Sequence, residues 1–241
     1  MNGQVIVTGG AGCIGMAICR RLREAGQQPV AFDVPAAIEA VDWDAPENSG
    51  ISPAVGDVTD RSSVEAAAAS LSDVPLVGLV NCAGVLRDTF LGKTEDASME
   101  LMFQVNVAGM ARVTDVFAPL LVDGGAIVNI GSVTASIGRF VGASVYGATK
   151  AGVAAYTTYL AVELADRAIR VNAVAPGVIR APMSPSMRAV SGGEESSAAQ
   201  TIMGRIGEPE EVAEVVVFLL SDRSSYVTAQ TLLVDGGFVA R

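Results

Sequence analysis

Tyr146 and Lys150 stand four residues apart in a chain of 241 residues that holds only four tyrosines and two lysines. On a helix that spacing puts both side chains on one face. A free phenol has a pKa of about 10, too high for a base near neutrality. A neighbouring ammonium favours the phenolate and draws that pKa down, so the pair predicts a general acid or base acting on a substrate oxygen. A tyrosine ring packed on a lysine stem is the plainer alternative for such a pair in isolation. The chain contains no histidine. This excludes Ser-His-Asp and Cys-His nucleophilic sites and every zinc site that needs imidazole. There is also no Gly-x-Ser-x-Gly elbow, so an α/β hydrolase is excluded.

A second constellation lies at the start. Thr8-Gly9-Gly10-Ala11-Gly12-Cys13-Ile14-Gly15 follows an apolar run and opens a helical one. Gly9, Gly12 and Gly15 allow a tight turn, close approach of backbone to a pyrophosphate, and close helix–strand packing. The N–H groups at the helix start then face the phosphates. Asp33 comes eighteen residues after Gly15. A carboxylate there accepts hydrogen bonds from the adenosine ribose hydroxyls and repels a 2′-phosphate. No arginine follows it directly, so NAD is preferred over NADP. A ligand-free turn and an ordinary strand-end Asp are the alternatives.

These residues need a scaffold. Strands are predicted at Gln4–Val7, Pro29–Phe32, Ile51–Val55, Val77–Asn81, Ala126–Ile130, Arg170–Val174 and Thr231–Val234. Between them lie helical stretches at Ile14–Ala25, Ser62–Ser72, Met99–Leu121, Ala148–Asp166 and Pro209–Leu220. Wholly apolar strands suggest burial on both faces, as in a parallel sheet. Strand–helix alternation makes right-handed βαβ units. The expected fold is a Rossmann-type, doubly wound parallel α/β sheet of about seven strands, with residues 1–241 as one domain. Val34–Gly50 is expected to be an acidic crossover loop, and 182–203 a substrate lid.

Half the residues are hydrophobic and 17% are charged, enough for a sizeable core. A net charge of −10 argues against a nucleic-acid surface. Apolar runs break well before a membrane span of about 18 residues. No basic leader precedes the first strand, so no signal peptide is expected. Cys13, Cys19 and Cys82 lack metal-ligand spacing, and reduced thiols in a cytoplasmic protein suit them.

With Tyr146-Gly147-Ala148-Thr149-Lys150 the chain resembles a short-chain dehydrogenase/reductase of the compact, single-domain kind. The resemblance runs from Val5 to Gly237. It passes in order through Gly9 to Gly15, Gly56-Asp57-Val58, Asn81-Cys82-Ala83-Gly84, Asn106, Ser132, Tyr146 with Lys150, Pro176-Gly177 and Val234-Asp235-Gly236-Gly237. It implies that Ser132 steadies the substrate oxygen beside Tyr146 and that Asn106 holds a proton-relay water near Lys150. It implies cofactor contacts at Gly9, Gly12, Cys13, Ile14, Gly15 and Asp33, with Asp57 and Val58 at the adenine. Asn81, Ala83 and Gly84 would lie along the ribose and nicotinamide, Tyr146 and Lys150 beside them, and Pro176, Gly177 and Ile179 would orient the carboxamide. A helix cap is the alternative for Asp57, a surface or interface position is the alternative for Asn106, and turns are the alternatives for Ser132 and for the Asn81 and Pro176 segments.

The implied reaction is hydride transfer between NAD(H) and a secondary alcohol or ketone, with an acyl-thioester reductase or sugar dehydrogenase of the same family as alternatives. A small-molecule alcohol or carbonyl partner follows, with no membrane or nucleic acid, and a homotetramer packed through Met99–Leu121 and Ala148–Asp166. A catalytically silent NAD sensor would not need Ser132, Tyr146, Lys150 and Asn106 together. An epimerase matches the Gly12–Cys13 spacing, but the stretch after Gly177 is short for its substrate domain. Four departures stand out: Cys13 and Ala181 where a glycine and a threonine are usual, Cys82 in place of the usual second asparagine, and Ala229 at a frequent glycine. Met183, Met187, Val190, Ile202 and Met203 can give the lid an adaptable lining or simply pack on the domain, and Arg139 and Phe140 can meet a substrate end, although a solvated Arg139 is the plainer expectation.

Overall fold

The computed structural model describes residues 3–71, 73–181 and 193–240. Ser72 and most of the expected lid, with Met183, Met187 and Val190, lie outside the described residues. Seven strands form one sheet: β1 Gln4–Thr8, β2 Gln28–Asp33, β3 Ser52–Val55, β4 Leu76–Asn81, β5 Leu121–Ile130, β6 Arg170–Pro176 and β7 Thr231–Val234. Their order is β3-β2-β1-β4-β5-β6-β7, and every pairing is parallel. The fold is the expected doubly wound α/β sheet.

Side chains alternate between the two faces, as the period of two requires. Val5 and Val7 of β1 point to one layer, where they meet Ile18 and Leu22 of α1 (Cys13–Glu24). Val216 and Leu219 of the last helix, Pro209–Leu220, complete that layer. Ile6 points to the other layer, which holds Val64 of α3 (Arg61–Ala69), Val113 and Phe117 of α5 (Met110–Phe117) and Leu160 of α6 (Ser144–Glu163). Each such side chain contributes about 1.5–3 kcal/mol on burial. The sheet is therefore a rigid platform whose carboxyl edge presents loops.

Three expectations need correction. The Val34–Gly50 segment is not a plain loop. Pro35 starts a short helix α2 (Pro35–Glu39), where its missing N–H costs nothing, and Trp43 Nε1 donates to the Ile38 carbonyl at 2.9 Å. The expected helix Met99–Leu121 begins at Asp96 and changes pitch. After α4 (Asp96–Phe103), Gln104–Gly109 is π-helical before α5 resumes. Such widened turns are frequent at functional sites. Finally, α6 starts at Ser144 rather than Ala148, so Tyr146 and Lys150 both lie inside its first two turns. No helix among the described residues is long and apolar enough to cross a membrane.

Candidate active site

The chain winds outward from β1 to β2 and β3, then returns to β4 and continues the other way. At that reversal the loops after β1 and β4 part and leave a crevice. A cavity of about 860 Å³ opens there, within the range of small-molecule and cofactor sites. Thr8 ties its rim together: its Oγ1 accepts the N–H groups of Cys82 and Ala83, both at 3.1 Å.

Glycine is mandatory at three points of this turn, Gly9, Gly10 and Gly15; a Cβ on Gly10 would stand 2.6 Å from Ala31 Cα. Gly9 has φ +65°, and a Cβ there would stand 2.8 Å from the Ala83 backbone; a Cβ on Gly15 would stand 2.0 Å from the Gly9 carbonyl. Gly12, at the N-cap of α1, is under no such compression, its nearest neighbour being 3.2 Å away. No side chain caps α1, and its first turn carries no acid. Cys13, Ile14 and Gly15 thus present backbone N–H groups to the cavity wall. The Cys13 thiol turns aside, 3.6 Å from the Arg180 carbonyl. A bare helix start behind a glycine cradle fits a pyrophosphate.

Asp33 ends β2 on the same wall. Its Oδ2 accepts the Ala11 N–H at 3.1 Å and its Oδ1 the Val34 N–H at 2.9 Å, which leaves lone pairs for ribose hydroxyls. Asp57 and Val58 line the cavity nearby. Asp57 is not the cap of α3; Asp60 is, accepting the Ser62 N–H at 2.9 Å. Asp57 instead accepts the N–H and hydroxyl of Thr59, both at 2.8 Å. Lys150 and Arg87 are the only cations among the described residues of the wall.

Ser132, Tyr146 and Lys150 meet on the opposite part of the wall, with Ala83, Gly84, Pro176, Gly177 and Ile179. Ser132 follows β5 and caps a 3-10 turn. Lys150 Nζ donates to the Ile130 carbonyl at 2.8 Å and lies 5.7 Å from the centre of the Tyr146 ring. A Cβ on Gly177 would stand 2.7 Å from Asp235 Cα, so the turn after β6 lies directly on the chain after β7.

Residues 9–239 match a family model described as Enoyl-(Acyl carrier protein) reductase. The chain belongs to the short-chain dehydrogenase/reductase family. It is 37% identical to 3-oxoacyl-(acyl-carrier-protein) reductase FabG of Thermotoga maritima over 99% of both chains. It is 41% identical to galactitol 2-dehydrogenase (L-tagatose-forming) of Cereibacter sphaeroides over 96% of this chain and 93% of the relative. The structure of a doubly substituted short-chain dehydrogenase/reductase from Serratia marcescens superposes with a TM-score of 0.89 at 30% identity, covering 98% and 97% of the two chains. A blue fluorescent protein from a metagenomic library, solved in complex with NADPH, superposes with a TM-score of 0.86 at 30% identity over 98% and 97%. The family is one of oxidoreductases that use nicotinamide cofactors.

Within this short-chain dehydrogenase/reductase two predicted residues stand behind the wall rather than in it. Asn81 turns into the core, where its Nδ2 donates to Thr114 Oγ1 at 3.0 Å and to Asn129 Oδ1 at 2.8 Å. Its side chain ties β4 to β5 and α5 instead of lining the cavity. Asn106, 1% exposed, exchanges hydrogen bonds with the Val85 backbone at 2.8 and 2.9 Å and donates to Thr149 Oγ1 at 3.0 Å. Arg139 is held rather than free: it donates to the Phe238 carbonyl at 3.0 Å and lies over that ring, which stacks on Phe140 at 5.5 Å. Phe140 lines the cavity.

Sequence reasoning missed Thr8, Phe32, Val85, Leu86 and Thr134. Thr134 stands two residues after Ser132, a spacing at which turn hydroxyls engage each other. The others carry no signal beyond apolarity or small size.

The electrostatic expectation also changes. Burial pushes the Tyr146 phenol up to about 12, and hydrogen bonding with the Ser132 hydroxyl works the other way without prevailing. Burial likewise pulls Lys150 down to about 8. Desolvation penalises both charged forms, and it outweighs any help the ammonium gives the phenolate.

Proposed function

We propose that this oxidoreductase moves hydride between NAD(H) and a secondary alcohol or ketone. The observation that carries the reading is the convergence of Ser132, Tyr146 and Lys150 on the wall that also holds the Gly9–Gly15 cradle. When bound, the nicotinamide would accept or supply the hydride. Tyr146 would hold the proton at its phenol oxygen and pass it to or from the substrate oxygen. Ser132 would hydrogen-bond the same oxygen and fix its place, and orientation of this kind accounts for much of an enzyme's rate. Lys150, anchored on Ile130, would hold a positive charge beside the ring. A phenol that keeps its proton through neutral pH can serve as the acid when a carbonyl is reduced.

Asp33, with Val34 and Ala37 around it and no cation beside it among the described lining residues, supports NAD over NADP. Cys13, Ile14 and Gly15 would bind the pyrophosphate, and Asp57 and Val58 would border the adenine. Asn106 would act from behind the wall by shaping the Val85 backbone. A second reading, reduction of a 3-oxoacyl thioester, draws on the relatives named 3-oxoacyl-(acyl-carrier-protein) reductase and acetoacetyl-CoA reductase, the latter 36% identical over 96% of both chains. The relative named galactitol 2-dehydrogenase keeps a polyol in play. Exposed Phe103 and Leu120 beside α4 and α5, and Tyr159 and Val162 on α6, support self-association into a tetramer. Free thiols at Cys13, Cys19 and Cys82 suit a cytoplasmic setting.

A panel of alcohols, ketones and 3-oxoacyl thioesters, read by NADH and NADPH absorbance in both directions, tests the reading. Tyr146→Phe is expected to keep NADH binding and abolish turnover. Turnover near wild type in that variant would remove Tyr146 from the mechanism.

A further inference from the structure

We propose that Thr134 is a positioning residue that commits the Ser132 hydroxyl to donate its proton toward the substrate oxygen; this rests on the reading of Ser132 and Tyr146 given above. A serine hydroxyl has one proton and two acceptor lone pairs. Both acceptor positions on Ser132 Oγ are taken by one neighbour: the Thr134 N–H at 3.2 Å and the Thr134 hydroxyl at 2.9 Å. The only hydrogen-bonding capacity left to Ser132 is its own O–H. A side chain that can only donate is matched to an oxygen that gains negative charge, whether the substrate's or that of Tyr146.

Thr134 is held where this requires it. The 3-10 turn Val133–Ala135 closes with the Ala135 N–H on the Ser132 carbonyl at 3.1 Å and the Ser136 N–H on the Val133 carbonyl at 3.0 Å. On its other side Thr134 meets the helix that carries Tyr146: a Cβ on Gly147 would stand 2.9 Å from the Thr134 carbonyl oxygen. Only glycine at 147 lets α6 approach this closely. Thr134 is thus wedged between Ser132 and the turn of α6 that bears Tyr146, and it lines the cavity itself. Without its hydroxyl, Ser132 keeps one acceptor position open and can rotate to other partners.

The test compares Thr134→Val, which removes the hydroxyl at nearly constant shape, with Thr134→Ser, Ser132→Ala and the Ser132→Ala/Thr134→Val double variant. Fold is followed by circular dichroism, NADH binding by fluorescence, and kcat, KM and their pH dependence on a ketone found in the substrate panel. Thr134→Val is expected to lose about tenfold in kcat, the equivalent of one modest hydrogen bond, with KM and NADH affinity within about twofold. Its rate of alcohol oxidation rises at higher pH than wild type, because the phenolate of Tyr146 loses a committed donor. Thr134→Ser restores the rate, and Thr134→Val adds no loss in the Ser132→Ala background. Wild-type kcat in Thr134→Val beside a crippled Ser132→Ala overturns this inference alone. An equal further loss in the double variant overturns it too, since Thr134 would then act independently of Ser132. Full activity in Ser132→Ala instead sinks the underlying reading. Should Thr134→Val not fold, Thr134→Ala against Thr134→Ser decides, and equal rates in those two count against the proposal.

Discussion

Lys150→Met offers a quantitative test, because it removes a buried charge while keeping a long apolar stem. Lys150 is 4% exposed, and burial lowers its pKa from 10.5 to about 8. The unfolded chain holds that proton more tightly than the native one, so a cost is present wherever the native amine must be charged. At pH 6.5 linkage puts it at about 3 kcal/mol, from roughly 2.5 pKa units at 1.36 kcal/mol each. At pH 9.5 the native amine is already neutral and the cost falls to about 1 kcal/mol. Lys150→Met forfeits the bond to the Ile130 carbonyl, a loss of about 1–3 kcal/mol that does not vary with pH. From pH 6.5 to 9.5 wild type therefore gains about 2 kcal/mol relative to the variant. Urea midpoints of both proteins at the two pH values, at one protein concentration, measure it. A difference that stays constant with pH would show that no charged amine is buried at this position, and the account of Lys150 would fall.

Asp33→Ser is expected to raise the NADP to NAD ratio of kcat/KM by tenfold or more, about 1.4 kcal/mol of relieved repulsion; an unchanged ratio in the absorbance assay would take cofactor choice away from Asp33. Phe140→Ala removes a cavity wall stacked on Phe238. The relative kcat/KM for bulkier ketones should rise by about tenfold with NADH affinity unchanged, and equal losses on all substrates would argue against a role in selection. Ala229 has φ +58°, a left-handed conformation that costs a residue with a Cβ about 1 kcal/mol. Ala229→Gly should therefore raise the denaturation midpoint slightly, and a clear loss of stability would show that the turn is not strained.

Much of this arrangement can be read from residues before any coordinates. Val5, Ile6 and Val7 declare a strand buried on both faces, and glycines 9 and 15 declare the turn after it, because each reading depends on local physics. Asn81 cannot be read this way. Its neighbours Cys82, Ala83 and Gly84 do border the cavity, but the pleat sends alternate side chains to opposite sides, and Asn81 is sent to Thr114 and Asn129, far away in sequence. The π turn around Asn106 and the earlier start of α6 are likewise products of tertiary packing. The acidity of Tyr146 escapes the sequence for a related reason. Spacing reveals the neighbouring cation but says nothing of how much solvent is removed from both groups. Ala229 is uninterpretable as a letter and becomes meaningful only with its φ.

Where the protein forgoes stability follows a pattern. Two helix starts away from the cavity are capped: Asp60 caps α3, and the Glu211 carboxylate accepts the Glu208 N–H at 2.9 Å at the start of the helix Pro209–Leu220. The start of α1, beside the cavity, has neither a capping side chain nor an acid. The same wall buries an amine that resists charging and a phenol that resists ionising. Each of these groups would be better satisfied by an anion, an oxygen or a charge brought in from outside. A bound dinucleotide should therefore stabilise the fold by more than its contact area alone suggests, since it supplies partners the protein leaves out at this one edge of the sheet.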